Sequence, residues 1–346
     1  MKLIPELFEK KIFTLLTAPV AKGKTHAIID YYDNNICRMV FVSPLRALAN
    51  EIFEKLKHQK NVYLIGGTSE KVNSKNDQFL NFLQKKKAMI ITTAEMLEDE
   101  FLELISQDDN PIIFVLDEFH LFYSWGESFR PILHDTYLGI LCTEHPVIAL
   151  SATMNDLHLK ALKKDLEFDR NFWIHLDFGN LELYRKPKNI TFFGGFDKST
   201  LERAFTRELK NKNKGQVFLM FCSYRSEVEE KVNWAKRHHF HALGCVGGEV
   251  LKFQEELKNC DHNQLELDCI FATSTLSHGV NLPEITKVFI NYEVKDYNFW
   301  LQMIGRGGRN GSSYDVYSFD QFHLTKKQRI YDYVKVPLSD WIGIEI

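Results

Sequence analysis

Along the 346 residues, short apolar runs alternate with stretches whose apolar positions recur every three to four residues. Residues 12–17, 39–42, 62–65, 88–92, 111–116 and 146–150 read as buried strands, with helical patterns at 25–32 and 45–56. Continuous apolar runs flanked by amphipathic helices predict a parallel sheet covered on both faces. The pattern resumes in the second half, with strands at 216–221, 267–271 and 287–290 and a helix at 226–236. Between the halves, YRKPKNI at residues 184–190 is polar, charged and broken by Pro, the composition of a linker. Two α/β domains with a cleft between them are expected, at residues 1–184 and 185–330, followed by a short extension at 331–346.

Composition narrows the class. Hydrophobic residues make up 45% and charged residues 26% of the chain, as in ordinary soluble domains. No apolar run approaches the roughly 18 residues of a membrane helix, so no membrane partner is expected. The opening MKLIPELFEKK has acids and a Pro where a signal peptide is apolar, which makes a cytoplasmic location the expectation. Cys37, Cys142, Cys222, Cys245, Cys260 and Cys269 lie far apart with no C-x-x-C, against a zinc ribbon or finger and for structural thiols. The net charge of −3 argues mildly against a nucleic-acid partner, although a groove can be locally basic on a neutral protein.

Chemistry enters with APVAKGKT at residues 18–25, between a strand and a helix. Backbone N–H groups of a loop made of Ala18, Pro19, Val20, Ala21, Lys22 and Gly23 would converge on one space, and the following helix N-terminus favours an anion. Lys24 would reach β- and γ-phosphates and Thr25 would hold Mg²⁺. Asp117 and Glu118 end another buried strand, at the sheet edge where open α/β sheets bind ligands. One carboxylate can hold the metal while the other orients and deprotonates water. In QMIGRGGR, Arg306 and Arg309 are three apart, on one face if the segment is helical, and the glycines between them permit close backbone approach. Arginines of this kind stabilise a transferring phosphoryl group, worth on the order of 10³–10⁵ in rate in other NTPases.

The run HLFYSWGESFRP, residues 120–131, places several rings beside the acids, where the pattern offers no evident core. Such rings can stack on exposed bases at roughly 1–3 kcal/mol per base. Alternatively Phe122, Tyr123 and Trp125 pack as a small satellite core.

In order along the chain, these stretches resemble the motifs of superfamily 2 helicases. APVAKGKT resembles motif I, SPLRALA (43–49) motif Ia, TTAE (92–95) motif Ib and DEFH (117–120) motif II in its DExH form. SAT (151–153) resembles motif III, FCSYR (221–225) motif IV, FATSTLSHGVNLP (271–283) motif V and QMIGRGGR motif VI. The aromatic run resembles the loop after motif II in RecQ helicases, with Glu127 and Ser128 standing where RecQ has His and Asp. Motifs V and VI resemble the Ski-type helicases, Asn281 included. Ala21 replaces a glycine usual in motif I, and no Gln precedes the phosphate loop.

The resemblance implies two tandem RecA-like domains with a nucleotide cleft between them, and ATP and Mg²⁺ as cofactors. It implies single-stranded or tailed nucleic acid as partner, DNA favoured over RNA. Lys24 and Thr25 would then grip phosphate and metal, Asp117 would hold Mg²⁺ and Glu118 would activate water. Gln302 would contact the γ-phosphate or the acids, and Gly279 and Asn281 would lie near the nucleotide. His120, Ser151 and Thr153 would couple the ATP site to the strand. Arg46, Thr93, Ser223 and Thr273 would meet phosphates, fixing register without reading sequence. Trp125, Phe129 and Arg130 would sense the strand. Translocation with strand separation and remodelling without it both suit these motifs. Strand-separating elements are expected to be absent or to come from a protein partner.

Overall fold

The structure is a computed structural model that describes residues 5–20, 22–66, 72–169, 172–193, 198–277, 280, 282–294, 296–309 and 311–319. The extension expected at 331–346 lies outside the described residues, as do Ala21, Gly279 and Asn281. Contacts divide the chain into two units, Met1–Glu182 and Leu183–Ile346.

The first unit runs β1 (Ile12–Thr17), α1 (Lys24–Asn34), β2 (Arg38–Ser43), α2 (Arg46–Leu56), β3 (Val62–Leu64), α3 (Val72–Leu83), β4 (Ala88–Thr93) and α4 (Asp99–Ser106). It continues with β5 (Ile112–Leu116), α5 (His120–Ser124), α6 (Ile132–Cys142), β6 (Val147–Ser151), α7 (Asp156–Asp169) and β7 (Phe172–Asp177). Among the described residues its seven-stranded sheet has the order β3-β4-β2-β5-β6-β1-β7, with every pairing parallel.

Successive residues of the central strands feed two separate cores. Phe13 and Leu15, Val40 and Val42, and Phe114 and Leu116 enter one, while Leu16, Met39, Phe41, Ile113 and Val115 enter the other. This is the period-two alternation of a strand with apolar cover on both faces. It is why the strands read as unbroken apolar runs. Each such fully buried side chain contributes about 1.5–3 kcal/mol relative to exposure.

The second unit runs β8 (Asn189–Phe193), α8 (Lys198–Lys210), β9 (Val217–Phe221), α9 (Arg225–Arg237), β10 (Ala242–Cys245) and α10 (Val250–His262). Then come β11 (Cys269–Ala272), β12 (Ile285–Ile290), α11 (Tyr297–Ile304) and β13 (Asp315–Phe319). Its six-stranded sheet has the order β10-β11-β9-β12-β13-β8, again parallel throughout among the described residues.

The stretch expected to be a linker ends inside a strand, because Asn189 and Ile190 already belong to β8. β8 is an edge strand with most positions exposed, so it carries no buried apolar run for the pattern to detect. β7, an edge strand of the first sheet that the pattern also left unpredicted, is half-buried along most of its length and likewise carries no buried apolar run. In each all-parallel sheet the C-terminal strand ends share one edge, and that is where loops can converge on a ligand.

Candidate active site

β1 leads into the loop expected to hold phosphate. The strand is buried up to Thr17, and the chain then departs along Ala18 and Pro19, with Ala18 N donating to Ser151 O at 3.2 Å. Gly23 has φ +86° and begins α1; a Cβ there would meet nothing within 4 Å, so the glycine is demanded by backbone conformation rather than by space. Lys24 folds back so that Nζ donates to Ala18 O at 3.1 Å and Pro19 O at 3.5 Å. Its ammonium therefore lies inside the curve of the loop, next to the half-buried Thr25 in the first turn of α1.

The acids follow β5. Asp117 N donates to Val42 O at 3.0 Å, which ties the turn to the neighbouring strand and leaves the Asp117 side chain buried. Glu118 takes φ +46°, a left-handed conformation that costs a side-chain-bearing residue about 1–2 kcal/mol. Its Oε2 is buried with no hydrogen-bond partner among the described residues, 3.7 Å from His120 Nδ1. Burial, then the adjacent Glu118 carboxylate, pushes Asp117 well above the usual carboxylate range, and the Lys24 ammonium offsets part of that. An adjacent acid pair, with one carboxyl destabilised as an anion and one oxygen left over, is a donor set that a hard divalent cation would satisfy. Among the described residues no three His, Cys, Asp or Glu side chains cluster to hold a metal unaided. Mg²⁺ is bound through one or two carboxylates together with substrate phosphates.

His120 opens α5 and is buried. Burial, then the charges of His158 and Lys24, pushes its imidazole down to about 3, so the ring is neutral at pH 7. Its Nδ1 lies 3.1 Å from Ser151 Oγ, which also accepts from Thr153 N at 3.2 Å. His120, Ser151 and Thr153 thus form one buried connection between the ends of β5 and β6.

The rings after the acids do have a core. Phe119, Phe122 and Tyr123 lie at i, i+3 and i+4, so they share one face of the α5 turn. All three are buried in the main core of the first domain, with Phe119 5.7 Å from Phe13 and 5.1 Å from Tyr137. Tyr123 OH donates to Asp165 Oδ2 at 2.7 Å. The satellite-core reading therefore holds for Phe122 and Tyr123, within a larger core than expected. Trp125 is half-buried against that core and lies 5.4 Å from the ring of Phe129, which is 69% exposed. Gly126 separates them by necessity, since a Cβ would sit 2.1 Å from Phe122 O.

The residues of the first domain expected to meet the strand differ in exposure. Arg46 is exposed in the first turn of α2, and Thr93 is half-buried at the end of β4. Arg130 is engaged within the domain: Nε donates to Glu95 Oε1 at 2.6 Å and Nη1 donates to Pro44 O.

In the second domain, Ser223 follows β9, with its N–H donating to Glu227 Oε2 at 2.9 Å and its Oγ accepting from Lys198 Nζ at 3.4 Å. Thr273 follows β11, its Oγ1 3.1 Å from Thr275 Oγ1. Gln302 is buried on α11. Arg306 and Arg309 do not share a helix face, because α11 ends at Ile304. The reason lies in the glycines that follow. A Cβ at Gly307 would lie 2.1 Å from the Tyr314 ring, and Gly308 has φ +61°. The close approach they permit is to Tyr314. Arg306 is 1% exposed and donates through Nη1 to Val280 O at 2.8 Å, whereas Arg309 is half-buried.

One group was not visible in the motifs. Asp177 accepts from the N–H of Gly179 at 2.9 Å and of Asn180 at 2.8 Å, and Asn180 holds the main chain of Met154, one residue past Thr153. The turn-forming composition of DFGN was the available signal.

Residues 1–161 match the DEAD/DEAH box helicase family, and residues 200–311 match the helicase conserved C-terminal domain. "Putative helicase 7" of Sulfolobus islandicus filamentous virus is 26% identical over 320 residues, covering 86% of this chain and 50% of that protein. "ATP-dependent DNA helicase RecQ" of Bacillus subtilis is 27% identical over 282 residues, covering 79% of this chain and 45% of that protein. The chain thus spans half or less of the length of these curated relatives. The structure of S. cerevisiae Dbp5 bound to RNA and ADP BeF3 superposes with a TM-score of 0.64 at 17% identity, covering 96% of this chain and 84% of that one.

Proposed function

We propose that the chain, which matches helicase families over both of its domains, is a superfamily 2 helicase that hydrolyses ATP to move along single-stranded nucleic acid, DNA in preference to RNA. The observation that carries this reading is the convergence, at one sheet edge, of the Lys24 ammonium inside its loop with the buried Asp117 and the half-buried Glu118. Triphosphate needs the first and metal-assisted attack by water needs the second.

In this reading the loop from Ala18 to Gly23 cradles the phosphates while Lys24 neutralises them. Thr25 and Asp117 would hold Mg²⁺, which when bound neutralises charge on the phosphate oxygens. Glu118, preset by its left-handed backbone, orients the water and takes its proton. By their resemblance to motifs V and VI, Arg306, Arg309, Gln302, Gly279 and Asn281 would serve the nucleotide. His120, Ser151 and Thr153 pass the state of the acids to the strand-binding loops. Arg46, Thr93, Ser223 and Thr273 contact phosphates, and Trp125 and Phe129 meet bases. The DExH form of motif II, the RecQ-like ring segment and the Ski-type motifs V and VI support assigning the chain to the DExH side of the superfamily. The preference for DNA rests on the RecQ-like segment and on the RecQ relative; the RNA-bound fold neighbour keeps RNA as the alternative substrate.

The test is ATP turnover with single-stranded DNA, single-stranded RNA and duplexes at two salt concentrations, beside a strand-displacement assay. Turnover stimulated most by single-stranded DNA, and falling as salt weakens phosphate contacts, is expected. Turnover unaffected by Lys24→Ala, or absent under all conditions, overturns the reading. Stimulation without displacement selects remodelling over unwinding.

A further inference from the structure

Residues 177–182 close the first domain, and Leu183 opens the second. Their polar groups fasten to three separate parts of the candidate active site. Asp177 Oδ1 accepts from Thr17 Oγ1 at 3.0 Å, at the last residue of β1, while its bonds to Gly179 and Asn180 shape the turn. Asn180 then grips Met154 from both sides, with Oδ1 accepting from Met154 N at 2.9 Å and Nδ2 donating to Met154 O at 2.6 Å. Leu181 N donates to Ala152 O at 2.9 Å, in the middle of Ser-Ala-Thr. Glu182 O accepts from Val20 N at 3.0 Å, in the middle of the phosphate loop. Gly179, at φ +117°, lies so close to Pro19 that a Cβ would sit 3.0 Å from its ring.

Most of these bonds end on main-chain atoms. A side chain at the receiving end could swing aside, whereas a main-chain partner must move with the segment or break the bond. The same six residues are also the covalent exit from the first domain. A displacement of the second domain therefore reaches Val20, Ala152 and Met154 through one short stretch of chain, without passing through the acids.

We propose that residues 177–182 are the mechanical link by which motion of the second domain sets the geometry of both the phosphate loop and Ser151–Thr153, with Asp177 and Asn180 as its positioning residues. The role in turnover rests on the helicase reading; the link itself rests on the bonds.

Hydrogen–deuterium exchange on the nucleotide-free full chain tests the link independently of activity. Asn180→Asp keeps size and the acceptor for Met154 N, but removes the donor to Met154 O. Thr17→Val keeps shape but removes the donor to Asp177, and Thr17→Ser restores it. Exchange at Val20 should rise about tenfold in Asn180→Asp and Thr17→Val, together with that at Met154, and stay near wild type in Thr17→Ser. A rise confined to Met154 overturns the link. In ATP assays with a 20-nucleotide oligo(dT), the ratio of stimulated to basal rate should fall about five- to tenfold in Asn180→Asp and Thr17→Val, with basal turnover within about twofold and Thr17→Ser near wild type. Equal loss of both rates reduces the segment to a static support and overturns the proposal. A wild-type chain that oligo(dT) does not stimulate overturns the DNA preference of the proposed function instead, and the exchange result then decides the link alone.

Discussion

Arg130 Nε donates to Glu95 Oε1 at 2.6 Å, and the same guanidinium donates to the Pro44 carbonyl, so one side chain ties the ring segment to the loops that follow β2 and β4. The resemblance to the RecQ loop casts Arg130 as a strand contact, yet here its donors are directed within the domain. Both roles are compatible if the strand competes with Glu95 for the guanidinium. Glu95→Gln should then raise affinity for oligo(dT) about two- to fivefold and steepen its salt dependence by about 0.7 on a log–log plot, the value of one more phosphate contact. Arg130→Ala should lower affinity. Fluorescence anisotropy across a salt series measures both, and an unchanged slope in Glu95→Gln removes Arg130 from the strand-binding set.

The rings divide by burial, and their substitutions should divide likewise. Phe129 is exposed, so Phe129→Ala should weaken oligo(dT) binding by about 1–3 kcal/mol with no change in thermal midpoint. Phe122 is fully buried in the first core, so Phe122→Ala should cost roughly 3–5 kcal/mol of stability. Trp125 is half-buried, and Trp125→Ala should do some of each. Binding isotherms beside thermal scans check the division. A destabilised Phe129→Ala would mean that the ring packs on the domain instead of serving the strand.

Much of this was legible because parallel sheets write themselves plainly. The run from Ile112 to Leu116 is apolar at every position because both faces of β5 are covered, and the acids follow where the strand must stop. The ring segment misled because neighbours in sequence have different fates. A single turn of α5 sends Phe119, Phe122 and Tyr123 inward, while Phe129, beyond that turn, points to solvent. Edge strands such as β8 hid because partial exposure erases the apolar run. The Asp177–Asn180 segment showed only the composition of a turn, and what it fastens to was hidden for another reason. Its partners, Thr17 and Met154, are distant in sequence, and no local pattern encodes a side chain that satisfies remote main-chain groups.

Lys24 and Asp117 act on each other, and that gives their substitutions opposite signatures. Each should lower ATP turnover by about 100-fold or more, on the scale of losing one electrostatic contact in a transition state. Stability should move in opposite directions. Asp117→Asn removes a buried carboxylate crowded by Glu118 and should raise the thermal midpoint of the nucleotide-free protein. Lys24→Ala leaves that carboxylate with less compensation and should lower it. Scanning fluorimetry without nucleotide reads both shifts, and shifts of the same sign would mean that the two groups do not share a site.

The two arginines after α11 should also separate. Arg309→Ala should cut turnover while nucleotide binding persists, as expected of a group needed chiefly in the transition state. Arg306→Ala should instead destabilise the second domain, because the side chain is buried and bonded to Val280 O. Nucleotide titration with a fluorescent ATP analogue, beside turnover and thermal scans, distinguishes them. Loss of nucleotide binding in Arg309→Ala would contradict the transition-state role.

At the opposite edge of the first sheet, Arg38 and Asp108 form a two-point pair, with Nη1 to Oδ2 at 2.6 Å and Nη2 to Oδ1 at 2.9 Å, and Arg38 also donates to Leu83 O and Asn110 O. The Arg38 hydrogen bonds, outweighing partial burial, hold the Asp108 carboxyl down at about 2, below its ordinary 3.8. Between those two values the unfolded chain binds more protons at this position than the folded one, so stability rises with pH through that window. The contribution is complete above the unfolded value and is lost as pH falls through the folded one. Asp108→Asn should therefore lower stability near neutrality by roughly 2–3 kcal/mol, less than the loss of a fully buried pair because Asp108 is partly exposed. The gap between variant and wild type should narrow as pH is lowered from 5 towards 2. Urea titrations of both proteins across that range measure the gap, and a gap independent of pH would mean that the two-point pair does not set the ionisation of Asp108.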